Sequence, residues 1–313
     1  MPLDVCVVGE INPDLILYGL PKQLTPEEEI LVDGFRLTLG SSSAIFAHNL
    51  AVLGTRVAIA SKIGDDALGK MATDWLASAG VDLTHVRRAA SGTATGLSVI
   101  LNQPEHRFIL TYPGTMFELA FGDLDLEFIF SAQHFHVSSY FLHRALRPRM
   151  AELFRQAKAR GLSTSLDTND DPEGRWGEDL LEVLPFVDIF FPNQREAKKI
   201  AGIDDLNLAI EKLSGICKFV VVKLGAAGAL VRKGKEEWRQ DGTRVESKDM
   251  VGAGDSFDAG YIHRFLQGAS PEECLEYGDI AGAFSTTHEG GTEAFRDRGA
   301  VERFFQSHLK PTR

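Results

Sequence analysis

Short β-branched or aromatic runs alternate with helical patterns through most of the sequence, which predicts an α/β fold with a mostly parallel central sheet covered by helices on both faces. Two further observations refine this. The stretches 14–38 and 94–112 carry strand patterns with no helix between them and predict a small separate β sheet. The 313 residues, 44% hydrophobic and 25% charged, suit a single domain over 1–313 with a large core and a small appendage. No internal repeat, low-complexity tract or linker divides the chain.

The elements follow in order. The first strand is predicted over 4–10, on the continuous apolar run Val5-Cys6-Val7-Val8. Gly9-Glu10-Ile11-Asn12-Pro13-Asp14 lies just beyond its carboxyl end, where open α/β sheets bind ligands. Asn12 and Asp14 there read equally as an Asx-turn or as ligand contacts. The first insert holds Asp14–Gly19, an acidic connector with prolines, and Glu29–Thr38. Leu39-Gly40-Ser41-Ser42-Ser43 then leads into a helix ending at Leu53-Gly54, followed by a strand at 56–61. Leu68, Met71, Trp75 and Leu76 mark the core face of the next helix, closed by Gly80. The second insert pairs Thr95–Leu101 with Arg107–Tyr112 across the turn Asn102-Gln103-Pro104-Glu105-His106. Strands at 134–140 and 163–168 flank a helix whose core face is Leu146, Met150, Leu153, Phe154 and Ala157, closed by Gly161. His134 and His136 alternate along the first of these strands and read as satisfied core histidines, a pocket wall beside Ser138, Ser139 and Tyr140 being the alternative. Strands at 187–192, 219–224 and 228–233 complete the sheet.

Composition excludes several classes of function. The net charge of −11 comes with no long basic run, so nucleic acid and anionic membranes have no electrostatic footprint, and a small-molecule substrate fits better. Cys6, Cys217 and Cys274 are far apart and lack metal spacing, as expected of small buried hydrophobes in a reducing compartment. There is no secretory signal and no apolar run of the ~18 residues needed to span a bilayer, so the cytoplasm is the expected location. The sequence also has no G-x-x-x-x-G-K-[ST] loop, no H-E-x-x-H and no G-x-S-x-G.

Three segments carry chemistry. In Asp249-Met250-Val251-Gly252-Ala253-Gly254-Asp255-Ser256-Phe257-Asp258-Ala259-Gly260, small residues let several backbone N–H groups converge on one anion. Phe257, Tyr261, Ile262 and Phe265 place a helix there, with its positive dipole end at the glycines. Asp255 beside that end can accept a hydroxyl proton during phosphoryl transfer, or merely complement the dipole. In Phe191-Pro192-Asn193-Gln194-Arg195-Glu196, Asn193 and Glu196 form a capping box, or present an amide and a carboxylate to hydrated Mg²⁺ and phosphates. In Val220–Leu230, Gly225 and Gly228 punctuate a tight turn between two strands.

The Asp249–Gly260 string resembles the C-terminal signature D-T-x-G-A-G-D-x-F-x-x-G of the ribokinase-like (PfkB) carbohydrate kinases, and weaker similarity extends over nearly the whole chain. The resemblance implies a ribokinase-like fold and an ATP-dependent kinase of an unphosphorylated sugar or sugar-like polyol. By it, Asp255 is the catalytic base, and Gly252, Ala253 and Gly254 build the anion hole. Asn193 and Glu196 meet nucleotide phosphates and water-bound Mg²⁺, while Lys223, Gly225 and Gly228 form the nucleotide loop. Asn12 and Asp14 hold sugar hydroxyls, and Gly40 and Ser41 occupy the place of the first signature, G-G-x-x-x-N. A monovalent cation such as K⁺ is implied near Asp249 and Val251. The inserts become a lid over the sugar and the contact of a homodimer.

The departures are Met250 in place of a small residue, Ser41 for the second glycine, and Ile45 for the customary asparagine. Kinases of phosphorylated sugars in this family commonly carry a lysine in the 40–45 loop. Three serines stand there instead and argue for an uncharged acceptor. A nucleoside kinase on the same scaffold is the competing reading among enzymes. A catalytically silent sugar-binding or regulatory protein is the competing reading outside them, against which the intact Asp255 and N-x-x-E count.

Overall fold

The computed structural model describes residues 3–310 apart from 91, 104, 105 and 178. Its strands are β1 Val5–Val8, β2 Pro13–Tyr18, β3 Gly34–Leu39, β4 Val57–Ile63, β5 Val86–Arg88, β6 Leu97–Asn102, β7 Arg107–Tyr112, β8 His134–Val137, β9 Ser163–Leu166, β10 Ile189–Phe190, β11 Phe219–Lys223, β12 Ala229–Lys233 and β13 Glu236–Gln240. Nine of them form one sheet in the order β13-β12-β11-β10-β9-β8-β1-β4-β5. The sheet is parallel from β5 to β11, and antiparallel where β12 and β13 close one edge.

Both faces are covered, which explains the continuous apolar runs. Along β1, Val5 and Val7 enter one core with helices Ser42–Val52, Ala67–Ala79, Ala253–Leu266 and Pro271–Thr286. Cys6 and Val8 enter the other, with helices Met150–Ala159, Gln194–Ala201 and Leu206–Ser214. The two-residue period of a strand thus feeds two cores from one run. Among the described residues no helix is long and apolar enough to cross a membrane.

The two inserts form a separate sheet in the order β3-β2-β6-β7. Each insert is an antiparallel pair, and the two are joined by parallel pairing of β2 with β6. Ile16 and Ile100 on its inner side pack on Val251, so the small sheet leans against the Asp249–Gly260 segment. Of the turn expected at 102–106, Pro104 and Glu105 lie outside the described residues.

Some expectations are corrected. The strands β5 and β13 have no counterpart in the sequence reading. Glu236-Glu237-Trp238-Arg239-Gln240 looks polar because it is an edge strand, where charge is tolerated. The run 187–192 yields only the two-residue β10, because Phe191 onward turns into a helix cap. The helix at Ala67–Ala79 buries Gly69, Ala72, Leu76 and Ala79, while Leu68, Met71 and Trp75 are only half-buried. Small residues win the inner face because the helix lies close on the neighbouring loop: a Cβ on Gly69 would sit 2.7 Å from Thr95 Oγ1 and 2.8 Å from the Gly64 carbonyl. His134 and His136 are fully buried, and each ring is satisfied at both nitrogens, by Ser163 and Ser165 or by Ser165 and Ser138.

Candidate active site

The residues singled out in the sequence gather beyond the carboxyl ends of the parallel strands, where the small sheet faces the large one. Helix Ala253–Leu266 begins at Gly252, which has a left-handed backbone at φ 72°. A Cβ there would lie 2.5 Å from Gly291 Cα and 3.2 Å from Ile45 Cγ2, so only glycine permits this close approach. Ile45 therefore braces the back of the loop, a use distinct from the sugar contact of the asparagine it replaces. Among the described residues the amides of Gly252, Gly254 and Asp255 have no protein acceptor, and the Ala253 amide makes only a long 3.4 Å bond to Met250. Free N–H groups at a helix start form an anion site. Met250 itself is 67% exposed, so the departure from the signature perturbs no packing.

Asp255 is buried beside these amides. Burial, and then the negative charge of Asp167, push its carboxyl up to about 7. Asp14 is also buried, and burial followed by the charge of Asp255 pushes it to about 7 as well. The charge of Asp255 thus reaches Asp14. Gly40 is required there, since a Cβ would fall 2.0 Å from Asp14 Oδ1. Asn12 is 1% exposed; its Nδ2 reaches Asp14 Oδ1 at 3.4 Å, and its Oδ1 has no partner. A buried acceptor left open in this way is costly unless a ligand hydroxyl fills it.

Ser41 has a structural role in addition to its place in the 40–45 loop. Its hydroxyl donates to the Glu10 carbonyl at 2.6 Å and accepts from the Ala44 amide, so it caps helix Ser42–Val52. The neighbouring serines are committed too. Ser43 donates to the Glu10 carboxylate at 2.8 Å, and Ser42 accepts from Asn169.

Several residues of the site escaped the sequence reading. Glu10 is buried and accepts from Ser139 at 2.7 Å, with His143 Nε2 3.3 Å away. Burial would raise its carboxyl, but the hydrogen bonds and charge from His143 and Ser139 outweigh that and hold it at about 2. Asn169 bridges Ser42 and Ser139. Ser41, Ser139 and Asn169 all have positive φ, of 69°, 53° and 54°. Three such non-glycine residues around one pocket mark stored strain of about 1–3 kcal/mol each. The signal that could have found Glu10 and Asn169, and that had made Ser139 an alternative pocket wall, was position: each lies just past the carboxyl end of a parallel strand.

Lys223 ends β11 and points into the cluster rather than to solvent, with its ammonium 2.5 Å from Asp167 and 3.1 Å from Asp258. A Cβ on Gly254 would lie 3.4 Å from Lys223 Nζ, so the ammonium adjoins the anion loop. Burial raises both aspartyl groups; at Asp167 the Lys223 charge prevails and lowers the carboxyl, whereas Asp258 stays well above its usual range. Burial would lower Lys223, but the two aspartates prevail and raise it. Asn193 and Glu196 form a complete capping box, with Glu196 Oε2 accepting from the Asn193 amide at 2.9 Å and Asn193 Oδ1 accepting from the Glu196 amide at 3.0 Å. Burial, and then Asp167, raise the Glu196 carboxyl to about 7. Gly225 and Gly228 both have positive φ, and a Cβ on Gly228 would meet the Gln240 carbonyl at 2.0 Å.

Asp249 is 5% exposed, with Oδ1 accepting from the Val251 amide and Oδ2 from Tyr18 Oη and the Gly290 amide. No cationic side chain among the described residues pairs with it. No group of three or more His, Cys, Asp or Glu side chains among the described residues forms a ready metal cage.

The chain belongs to the pfkB family of carbohydrate kinases. A profile described as pfkB family carbohydrate kinase matches residues 2–298. An ATP-dependent ribose-1-phosphate kinase of Halopiger xanaduensis is 30% identical over 294 residues, covering 93% of this chain and 94% of that one. A ribokinase of Haemophilus influenzae is 29% identical over 311 residues, covering 96% and 97%. Among solved structures, Arabidopsis thaliana ribokinase complexed with ribose and ATP superposes with a TM-score of 0.83 at 24% identity, covering 98% of this chain and 99% of that one.

Proposed function

From its membership in the pfkB family of carbohydrate kinases, which makes the chain a phosphotransferase acting on a sugar hydroxyl, we propose that it phosphorylates an unphosphorylated sugar or sugar-like polyol at the expense of ATP. The observation that carries this reading is the pairing of two buried carboxyls, Asp14 and Asp255, beside three unpartnered amides. Asp14 and the open Asn12 Oδ1 hold acceptor hydroxyls. Asp255 takes the proton of the attacking hydroxyl as its oxygen bonds to the γ-phosphorus and the bond to the ADP oxygen breaks. The amides of Gly252, Gly254 and Asp255 hold the charge of the transferred group.

The same carboxyls argue against an anionic acceptor, since Glu10, Asp14 and Asp255 would repel it and the nearby Lys223 is engaged by Asp167 and Asp258. The Halopiger xanaduensis relative's name specifies a phosphorylated acceptor, so a matched sugar and sugar-phosphate pair is the discriminating test. With the better of the two, Asp14→Ala is expected to lower kcat/KM for the acceptor about ten- to hundredfold and leave the KM for ATP unchanged, the scale of a lost charged hydrogen bond. A wild-type preference for the phosphorylated member, or a defect confined to ATP, would overturn the assignment.

The raised carboxyls give a pH signature. A base must be ionised to accept a proton, so kcat/KM for the acceptor should climb as pH rises through about 7 and flatten above it, as a property of the coupled Asp14–Asp255 pair. A profile already flat at about pH 5.5 would contradict this.

The donor set fits Mg²⁺, which keeps much of its water and needs few protein ligands. When bound, Mg²⁺ would neutralise phosphate charge; Glu196, with Asp167 beside it, would hold its water shell. Glu196→Gln keeps the backbone cap, so a purely structural role would leave the magnesium dependence of the rate unchanged. A magnesium role instead raises the concentration needed for half-maximal rate roughly tenfold or more. Asp249, a buried carboxylate without a cationic partner, fits a monovalent cation such as K⁺, with Val251 beside it. Gly225 and Gly228 leave the nucleotide loop free of side chains, and Asn193 and Lys223 flank its phosphate end.

A homodimer through the small sheet is the proposed assembly. Phe108, Ile109, Leu110 and Tyr112 on the edge strand β7, together with Phe35, are half or more exposed. The three cysteines are free and buried, which supports a reducing, ATP-supplied cytoplasmic setting.

A further inference from the structure

Helix Ser42–Val52 starts at the acceptor pocket with Ser42 and Ser43, and further along it carries His48 into the wall of a second cavity of about 250 Å³. Val52, Trp75 and Phe295 give this cavity apolar walls, and Arg296 and Arg298 give it a basic edge. None of these residues takes part in the catalytic arrangement described above.

The hydrogen bonds around His48 fix its chemistry. Asn49 Nδ2 donates to the Gly291 carbonyl at 3.0 Å and to Ser256 Oγ at 2.9 Å. A carbonyl only accepts, so the amide orientation is settled, and Asn49 Oδ1 is the atom 2.8 Å from His48 Nδ1. Nδ1 therefore carries the hydrogen. Burial, reinforced by the charges of Arg296 and Arg298, holds the ring at about 4, so it is neutral near pH 7. Nε2 is left as an acceptor, and no donor among the described residues reaches it.

The cavity is wired to the catalytic apparatus on two sides. Ser256, bonded to Asn49, donates to the Gly252 carbonyl at 2.7 Å, and Gly291 abuts Gly252 directly. On the other side, Arg296 pairs with Glu293 at 2.8 Å, and the same Glu293 oxygen accepts from Thr38 on the lid strand β3 at 2.6 Å.

We propose that this cavity is a second ligand site, for a small aromatic carboxylate carrying a hydroxyl or N–H donor, and that its occupancy is coupled to the anion loop. The carboxylate meets Arg296 and Arg298, whose guanidinium geometry matches it. The ring lies among Trp75, Phe295 and Val52, and the donor meets His48 Nε2. A ligand there pulls on the same Asn49 and Glu293 contacts that hold Gly252 and β3, which is how occupancy reaches the phosphoryl-transfer loop.

The test uses the full-length protein and 4-hydroxybenzoate as probe, followed by titration calorimetry and ligand-observed NMR. Saturable one-site binding is expected, weakened at least about tenfold for the neutral 4-hydroxybenzamide and for Arg298→Met. Arg298 also donates to the Ala79 carbonyl, so Arg296→Gln serves as the second variant, and both are checked by thermal melting. Binding should persist at saturating MgADP but with altered affinity, and the probe should change MgADP affinity by the same factor. Failure of wild type to bind, equal binding of the amide, or displacement by MgADP would overturn the site. An affinity indifferent to MgADP would overturn the coupling.

Discussion

Asp255→Asn is expected to keep the fold and bind nucleotide while turnover falls by a factor of about 10²–10⁴, the scale of a lost general base. The substitution is nearly isosteric and sits in the first turn of helix Ala253–Leu266, so the helix keeps its start at Gly252. It removes a charge that burial and Asp167 already disfavour, so stability should be unchanged or slightly improved. Loss of turnover without loss of melting temperature or MgADP affinity separates a chemical role from a structural one. A variant turning over at near wild-type rate would leave Asp255 as a residue that only complements the helix dipole.

Lys223→Met is the second large effect, and it falls on stability as well as activity. The Lys223 ammonium is the cation bridging Asp167 and Asp258, whose side chains are 2% and 1% exposed. Removing one partner of a buried ion pair costs about 3–5 kcal/mol, which for a domain of this size is a melting-temperature drop of roughly 5–8 °C. Asp167→Asn on top of it should recover much of the loss, because Asp167 is the carboxylate that Lys223 holds ionised and its uncompensated charge is then gone. A single variant melting within a degree or two of wild type would show that the carboxyls are neutralised by shared protons rather than by Lys223.

What the sequence made legible was whatever is contiguous. The Asp249–Gly260 segment keeps its base, its glycines and its helix start within a dozen residues, and Asn193 with Glu196 is a local capping box. The two inserts stood out because they lack a helix. The rest depends on strands brought together by the sheet. Asp167, Lys223 and Asp258 are separated by dozens of residues, and only adjacency at the strand ends makes them one cluster. Glu10, Ser139 and Asn169 likewise meet only after β1, β8 and β9 align. The cap that Ser41 provides for the following helix was likewise not legible, since its partners are the Glu10 carbonyl and the Ala44 amide.

The central claim is phosphoryl transfer from ATP to an unphosphorylated polyol, with Asp255 as base. The most direct measurement is coupled ADP release by wild type and Asp255→Asn in parallel, against free sugars, sugar acids, sugar phosphates and nucleosides, with and without magnesium. Magnesium-dependent ADP release with a free sugar or sugar-like polyol, abolished in the variant, is the predicted result. Highest kcat/KM with a sugar phosphate or a nucleoside, or wild-type ADP release matched by the variant, would contradict it.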